Sequence, residues 1–271
     1  MSPLASSRRA AGALALLIAA AAATAPSATA AESSHGAKPT VVLVHGAFAD
    51  ASGWNAVAED LRRQGYEVVA PANPLRGLSN DSTYTASVLK SIEGPVVLVG
   101  HSYGGAVISS AAAGTPNVKA LVYVAAFMPD TGESPAELSA KFAGSELGTA
   151  VRPVPYTDNA GSGIDLYIQN DKFRSVFAAD LPERQTRLMA VEQRPITAAG
   201  FAEKARAAAW KTIPSWFLVA RQDKAIAPDL ERFEAERAGS RTVEIDSSHV
   251  AMMSHPRTVV GLIDEAAEAT C

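Results

Sequence analysis

Pro95-Val96-Val97-Leu98-Val99-Gly100-His101-Ser102-Tyr103-Gly104 is the stretch on which the fold turns. Its first five residues are apolar without alternation, which predicts a strand buried on both faces. Small residues follow Gly104 and predict a helix, so Ser102 stands where a strand turns sharply into a helix. Such an elbow strains its central residue, and side chains two positions to either side collide unless they are glycine. Gly100 and Gly104 meet that demand. At average Gly and Ser usage the five-residue pattern arises by chance in roughly one chain in ten of this length. Its surroundings therefore decide whether Ser102 is a nucleophile.

Outward from the elbow, Thr40–Val44, Glu67–Ala70, Val118–Val124, Ser215–Ala220 and Arg241–Ile245 read as further strands. Trp54, Val57, Ala58 and Leu61 recur at helical spacing and predict a helix packed on the sheet. Another starts near Asp81 and carries Val88, Leu89 and Ile92. This alternation predicts an α/β fold, a mostly parallel six-stranded sheet flanked by helices, with ligand sites beyond the carboxyl ends of the strands. The interval from Asp130 to Thr212 is far longer than a crossover needs and predicts a helical cap inserted over about residues 131–212. Phe142, Tyr156, Tyr167, Phe173, Phe177, Leu188 and Met189 are expected to form mostly the cap's own core, with a few facing the serine in an apolar pocket.

Residues 1–30 read as an export signal that is cleaved off. Arg8-Arg9 precede an Ala/Leu/Ile run, and Ala28-Thr29-Ala30 forms the cleavage site. The run is short for a span of about 20 residues, so no membrane attachment is expected after cleavage. The paired arginines lack the Phe-Leu of a twin-arginine signal, so either export route fits a secreted or periplasmic destination. Ala31 to Lys38 is a polar linker, and residues 39–271 are expected to form one domain containing the cap. Losing Arg8 and Arg9 from 24 Lys and Arg leaves 22 against 28 Asp and Glu, a charge of −6 that disfavours nucleic acid as a partner. The single cysteine, Cys271, excludes an intrachain disulfide. Five scattered histidines without metal-ligand spacing, and the lack of a Walker loop or dinucleotide fingerprint, predict neither metal nor cofactor.

A serine nucleophile needs a base, usually a histidine oriented by a carboxylate. His35 lies in the linker, His45 in the first strand's exit loop, and His101 beside the serine must point away from it. His249 follows the last strand in Asp246-Ser247-Ser248-His249 and is the expected base, whereas His255-Pro256 sits at the mouth of the last helix and reads as a cap. Asp223, directly after Trp216-Phe217-Leu218-Val219-Ala220, is the expected acid and gives the chain order Ser, Asp, His. Its rival Asp130 lies in the ordinary turn sequence Pro129-Asp130-Thr131-Gly132, and Asp246 reads as structural. The oxyanion hole is expected from the backbone N–H groups of Tyr103 and Ala47, the latter in Val44-His45-Gly46-Ala47-Phe48, with Phe48 the weaker candidate.

His45-Gly46-Ala47-Phe48, the Gly100-to-Gly104 elbow, Asp223 and His249 together resemble the α/β-hydrolase superfamily over nearly the whole mature chain. The compact start, the stretch ending at Trp54 and the cap length are similar to the small branch of plant methyl-ester esterases and hydroxynitrile lyases. That resemblance implies a Ser-His-Asp triad and no cofactor. Lyases of the branch carry threonine after the first-strand histidine and lysine after the catalytic histidine, where this chain has Gly46 and Val250. The expectation is an exported serine hydrolase that cleaves a carboxylic ester of a small, partly apolar molecule through an acyl-enzyme on Ser102. A hydroxynitrile lyase and a non-catalytic small-molecule binding protein of the same fold are the alternatives.

Overall fold

Valine and leucine runs with no polar face are stable only where both sides of a sheet are covered. In the computed structural model, which describes residues 38–159 and 161–271, these runs build the centre of the molecule. The expected export signal and the linker up to residue 37 lie outside the described residues. In chain order the strands are β1 (Thr40–Val44), β2 (Val68–Val69), β3 (Val96–Ser102), β4 (Val118–Ala126), β5 (Val151–Asp158), β6 (Gly161–Ile168), β7 (Ile196–Thr197), β8 (Ser215–Ala220) and β9 (Arg241–Ile245). Six of them form one sheet in the order β2-β1-β3-β4-β8-β9, every pair parallel. All seven residues of β3 are buried, and Tyr123 of β4 stacks on its cross-strand partner Phe217 of β8 at 5.7 Å.

The helices are α1 (Asn55–Arg63), α2 (Leu78–Lys90), α3 (Tyr103–Ala111), α4 (Pro135–Lys141), α5 (Leu147–Ala150), α6 (Asn170–Phe177), α7 (Glu183–Glu192), α8 (Ala198–Ala202), α9 (Pro228–Ala238), α10 (Ala251–Ser254) and α11 (Pro256–Thr270). α1 buries Val57 and Leu61, the stripe its spacing predicts, and packs with α11. α3 and α11 both lie against β3 and β4, covering the strands that carry the elbow. β2 is shorter than the expected Glu67–Ala70 because it is an edge strand, paired only with β1 and half-buried.

The cap differs from the helical expectation. Besides α4 to α8 it contains a three-stranded antiparallel sheet, β5-β6-β7. Pro153 and Pro155 forbid a helix over β5, and as residues of an edge strand they withhold no essential ladder donor. Arg76, just before α2, ties this sheet to the main body through an ion pair with Asp165 of β6 at 2.8 Å and a hydrogen bond to the Pro195 carbonyl.

Candidate active site

Ser102 sits at φ 54° and ψ −126°, an uncommon conformation for a residue with a side chain. Strain of this kind costs about 1–3 kcal/mol and persists only where the surroundings over-determine it. The Ser102 carbonyl accepts a hydrogen bond from Phe127 N–H at 3.1 Å, and the register between β3 and β4 shifts just before it. A Cβ on Gly104 would lie 2.5 Å from the Val44 carbonyl oxygen, and one on Gly100 would lie 2.7 Å from the Gly104 carbonyl oxygen. The two glycines thus let β1, β3 and α3 close on one another. Tyr103 fixes the first turn of α3 by donating its phenol to Asp81 Oδ2 at 2.9 Å.

At the neighbouring strand ends, β8 delivers Asp223 and β9 delivers His249. Asp223 Oδ1 accepts the N–H groups of Ala225 at 2.6 Å and Ile226 at 2.9 Å, and Oδ2 faces His249 Nδ1 at 2.5 Å. Both side chains are almost fully shielded, with 1% of His249 and none of Asp223 exposed. A carboxylate only accepts, so the imidazole proton of neutral His249 sits on Nδ1 and leaves Nε2 able to take one. Ser102 Oγ makes no hydrogen bond among the described residues; a nucleophile's contact with its base commonly tightens only with substrate present. The described residues do connect the elbow to His249. His101, next to Ser102, donates from Nε2 to the His249 carbonyl at 2.9 Å, and the two rings lie 4.7 Å apart. Burial, then the His249 ring, pushes the His101 pKa well below its ordinary value, so it remains a neutral strut.

The loop after β1 is equally fixed. Asn73 N–H donates to His45 Nε2 at 2.9 Å, so the proton of His45 is on Nδ1, which donates to the Gly46 carbonyl at 2.9 Å. Phe48 N–H is taken by the Arg194 carbonyl of the cap at 2.8 Å. The N–H groups of Ala47 and Tyr103 are used by no loop or cap hydrogen bond among the described residues. A Cβ on Gly46 would lie 2.5 Å from Ser102 Cβ and 3.2 Å from its Oγ, so a side chain here would occupy the space in front of the serine.

The rival residues are engaged elsewhere. Asp130 pairs with Lys211 at 2.5 Å at the surface, and Asp246 pairs with Arg221 at 2.9 Å with two-thirds of its side chain exposed. His255 caps α11, its carbonyl accepting from Thr258 N–H. Of the expected cap aromatics, Phe177 reaches the site, its ring 5.0 Å from that of His249. Phe48 forms one wall of a cavity of about 350 Å³ under the cap, with Phe142, Leu147, Leu166, Ile196 and Phe201.

Asp180, between α6 and α7, escaped sequence reading. It accepts Ser248 N–H at 3.0 Å, Ser248 Oγ at 2.5 Å and Ser247 Oγ at 3.2 Å, and so grips the loop that carries His249. Burial pushes its pKa up, but hydrogen bonds from Ser248, Ser254 and Ser247 outweigh burial and hold it below the usual carboxylate range. A depressed folded-state pKa contributes stability that is full above the unfolded value and lost as pH falls through the folded one. Asp180→Asn is therefore expected to lower the melting temperature at pH 7. Its deficit relative to wild type should shrink once pH drops below about 4. Thermal melts of both proteins across pH check this; a deficit independent of pH would contradict it.

The alpha/beta hydrolase family model matches residues 41–262. A carbendazim hydrolyzing esterase from Nocardioides sp. (strain SG-4G) is 38% identical over an alignment of 125 residues that covers 38% of this chain and 52% of that relative, so the chain spans about half the relative's length. Methylesterase 2 of Arabidopsis thaliana is 27% identical over 254 residues, covering 81% of this chain and 92% of the relative. The crystal structure of polyneuridine aldehyde esterase shares the fold, with a TM-score of 0.74 at 21% identity over 84% of this chain and 98% of that one. With a parallel sheet that turns through a serine elbow at its centre and a family match over most of its length, the chain belongs to the alpha/beta hydrolase family.

Proposed function

We propose that this chain is a serine esterase that acts on a small carboxylic ester with an apolar part. Ser102 Oγ attacks the carbonyl carbon while His249 Nε2 takes the hydroxyl proton, and Asp223 holds the imidazole and stabilises its charge. The N–H groups of Ala47 and Tyr103 bind the oxyanion, each worth about 3 kcal/mol of barrier in comparable sites. Collapse of the tetrahedral intermediate expels the alcohol, which leaves with the proton from His249. Water then enters and attacks the acyl carbon as it gives a proton to His249, and collapse of this second intermediate frees the acid while His249 returns the proton to Ser102 Oγ. The observation that carries this reading is the shielded Asp223–His249 pair, 2.5 Å apart, beside the elbow.

Gly46 and Val250 favour hydrolysis over cyanohydrin cleavage. Glycine leaves room for a tetrahedral centre before Ser102, and buried Val250 offers no ammonium to a departing anion. The apolar cavity behind Phe48 suits an acyl or alcohol part of modest size. The Nocardioides and Arabidopsis relatives, named as esterases, point the same way. Export after cleavage behind Ala30 belongs to the same proposal, and N-terminal sequencing of secreted material tests it.

The decisive experiment is a panel of short esters, lactones, amides and a cyanohydrin, each run beside Ser102→Ala. Turnover of esters by the wild type alone is expected. Turnover of the cyanohydrin alone would make the protein a lyase, and binding without turnover of any compound would make it a receptor.

A further inference from the structure

Nothing in the proposed mechanism uses Glu231, yet it is one of the most deeply buried carboxyl groups described, with no exposed surface. It lies in the first turns of α9, eight residues after Asp223, so the helix brings it back behind the acid arm. Its Oε2 accepts the N–H of Ala220, the last residue of β8, at 2.9 Å. Its Oε1 is buried and meets no ordinary donor among the described residues. The Glu231 carboxyl group does lie in hydrogen-bonding contact with the Asp223 carboxylate. Asp223 is already an acceptor on both oxygens, from Ala225 and Ile226 N–H and from His249. Two carboxylates cannot share such contact without a proton between them.

We propose that Glu231 is a positioning residue for the catalytic acid: its carboxyl group keeps its proton and donates it as a hydrogen bond to the Asp223 carboxylate, holding Asp223 against His249. The proposal rests on Asp223 and His249 serving Ser102 as described above. No bond is made or broken; the proton stays on Glu231 throughout the cycle. The surroundings favour this state. Burial, followed by the negative charge of Asp223, pushes the Glu231 pKa well above the carboxylate range. The other charged neighbour is Glu234, one helical turn on, which cannot supply a cation, and Arg237 is occupied with Glu133, Glu234 and the Met128 carbonyl. A neutral acid in this place adds a donor to Asp223 without adding a charge. It therefore preserves the negative charge that His249 needs when it takes the serine proton.

The test combines infrared spectroscopy with kinetics on full-length wild type, Glu231→Gln and Glu231→Leu. The fraction of Ser102 labelled by a fluorophosphonate, read by mass, normalises each rate. At neutral pH the wild-type minus Glu231→Gln infrared difference spectrum is expected to show the carbonyl band of a protonated carboxylic acid. Subtraction removes the contribution of Glu234, whose own pKa is raised to about 8, chiefly by burial. A difference spectrum showing an ionised carboxylate instead would overturn the proposal, even if Glu231→Leu failed to fold. Glutamine can still donate to Asp223 and accept from Ala220, whereas leucine can do neither. Per labelled site, kcat is expected to fall roughly tenfold in Glu231→Leu, with KM little changed, and to recover to within about threefold of wild type in Glu231→Gln. Equal kcat in wild type and Glu231→Leu would also overturn it. Absence of labelling in the wild type would instead sink the serine mechanism, and the infrared result would still report where the proton lies.

Discussion

Ser102→Ala is expected to lose roughly 10⁵- to 10⁶-fold in kcat on a short-chain aryl ester and to take up no mass from a fluorophosphonate, while folding as the wild type does. Alanine retains the Cβ that the elbow already accommodates at φ 54°, and Ser102 Oγ makes no hydrogen bond among the described residues whose loss would destabilise the protein. What disappears is the atom that forms the covalent intermediate in the proposed mechanism. What remains is the pair of backbone donors at Ala47 and Tyr103 and the apolar cavity, enough for a residual acceleration of about 10³-fold over water. A binding protein of this fold would behave differently, since its affinity for an ester would survive the substitution and it would have no turnover to lose. Activity equal to wild type, or labelling that persists in the variant, would remove Ser102 from the mechanism.

The parts of the molecule that could be read from sequence are those with a local physical signature. Continuous apolar runs mark β1, β3, β4 and β8 because a strand covered on both faces has no reason to alternate, whereas β9 is an edge strand whose Val243 and Ile245 flank Glu244. Asp223 follows the run of β8 and His249 follows β9, and strand ends are where this architecture gathers its ligands. The cap sheet was less visible. Its strands are half-exposed and interrupted by proline and glycine, although Pro153-Val154-Pro155 already argues against a helix there. Asp180 carries no local signature of its role, because it acts on residues brought to it by packing. For Glu231 a signal did exist. In Leu230-Glu231-Arg232-Phe233-Glu234-Ala235, both glutamates fall on the side of the helix that buries Leu230 and Ala235, which is no place for solvated charges.

Asp223→Asn is expected to lower kcat by roughly 10⁴-fold, and Asp130→Asn to leave it within about twofold of wild type. The asymmetry follows from hydrogen-bond directions. In the wild type, Oδ1 of Asp223 accepts two backbone N–H groups, which no amide nitrogen can do. An asparagine must therefore keep its oxygen there and turn its NH₂ toward His249 Nδ1. The imidazole then accepts at Nδ1 and carries its proton on Nε2, the nitrogen that receives the proton of Ser102 in the proposed mechanism. The base is filled before the reaction begins, and the countercharge for an imidazolium is gone. Asp130, by contrast, loses its charge opposite Lys211 at the surface while an amide oxygen can still accept from Thr131 N–H, and neither contact touches the site. Circular dichroism and melting curves of the two variants separate loss of chemistry from loss of fold. If Asp130→Asn were the more damaging substitution, the acid arm would belong to the end of β4, and the buried pair at the ends of β8 and β9 would be a structural contact only.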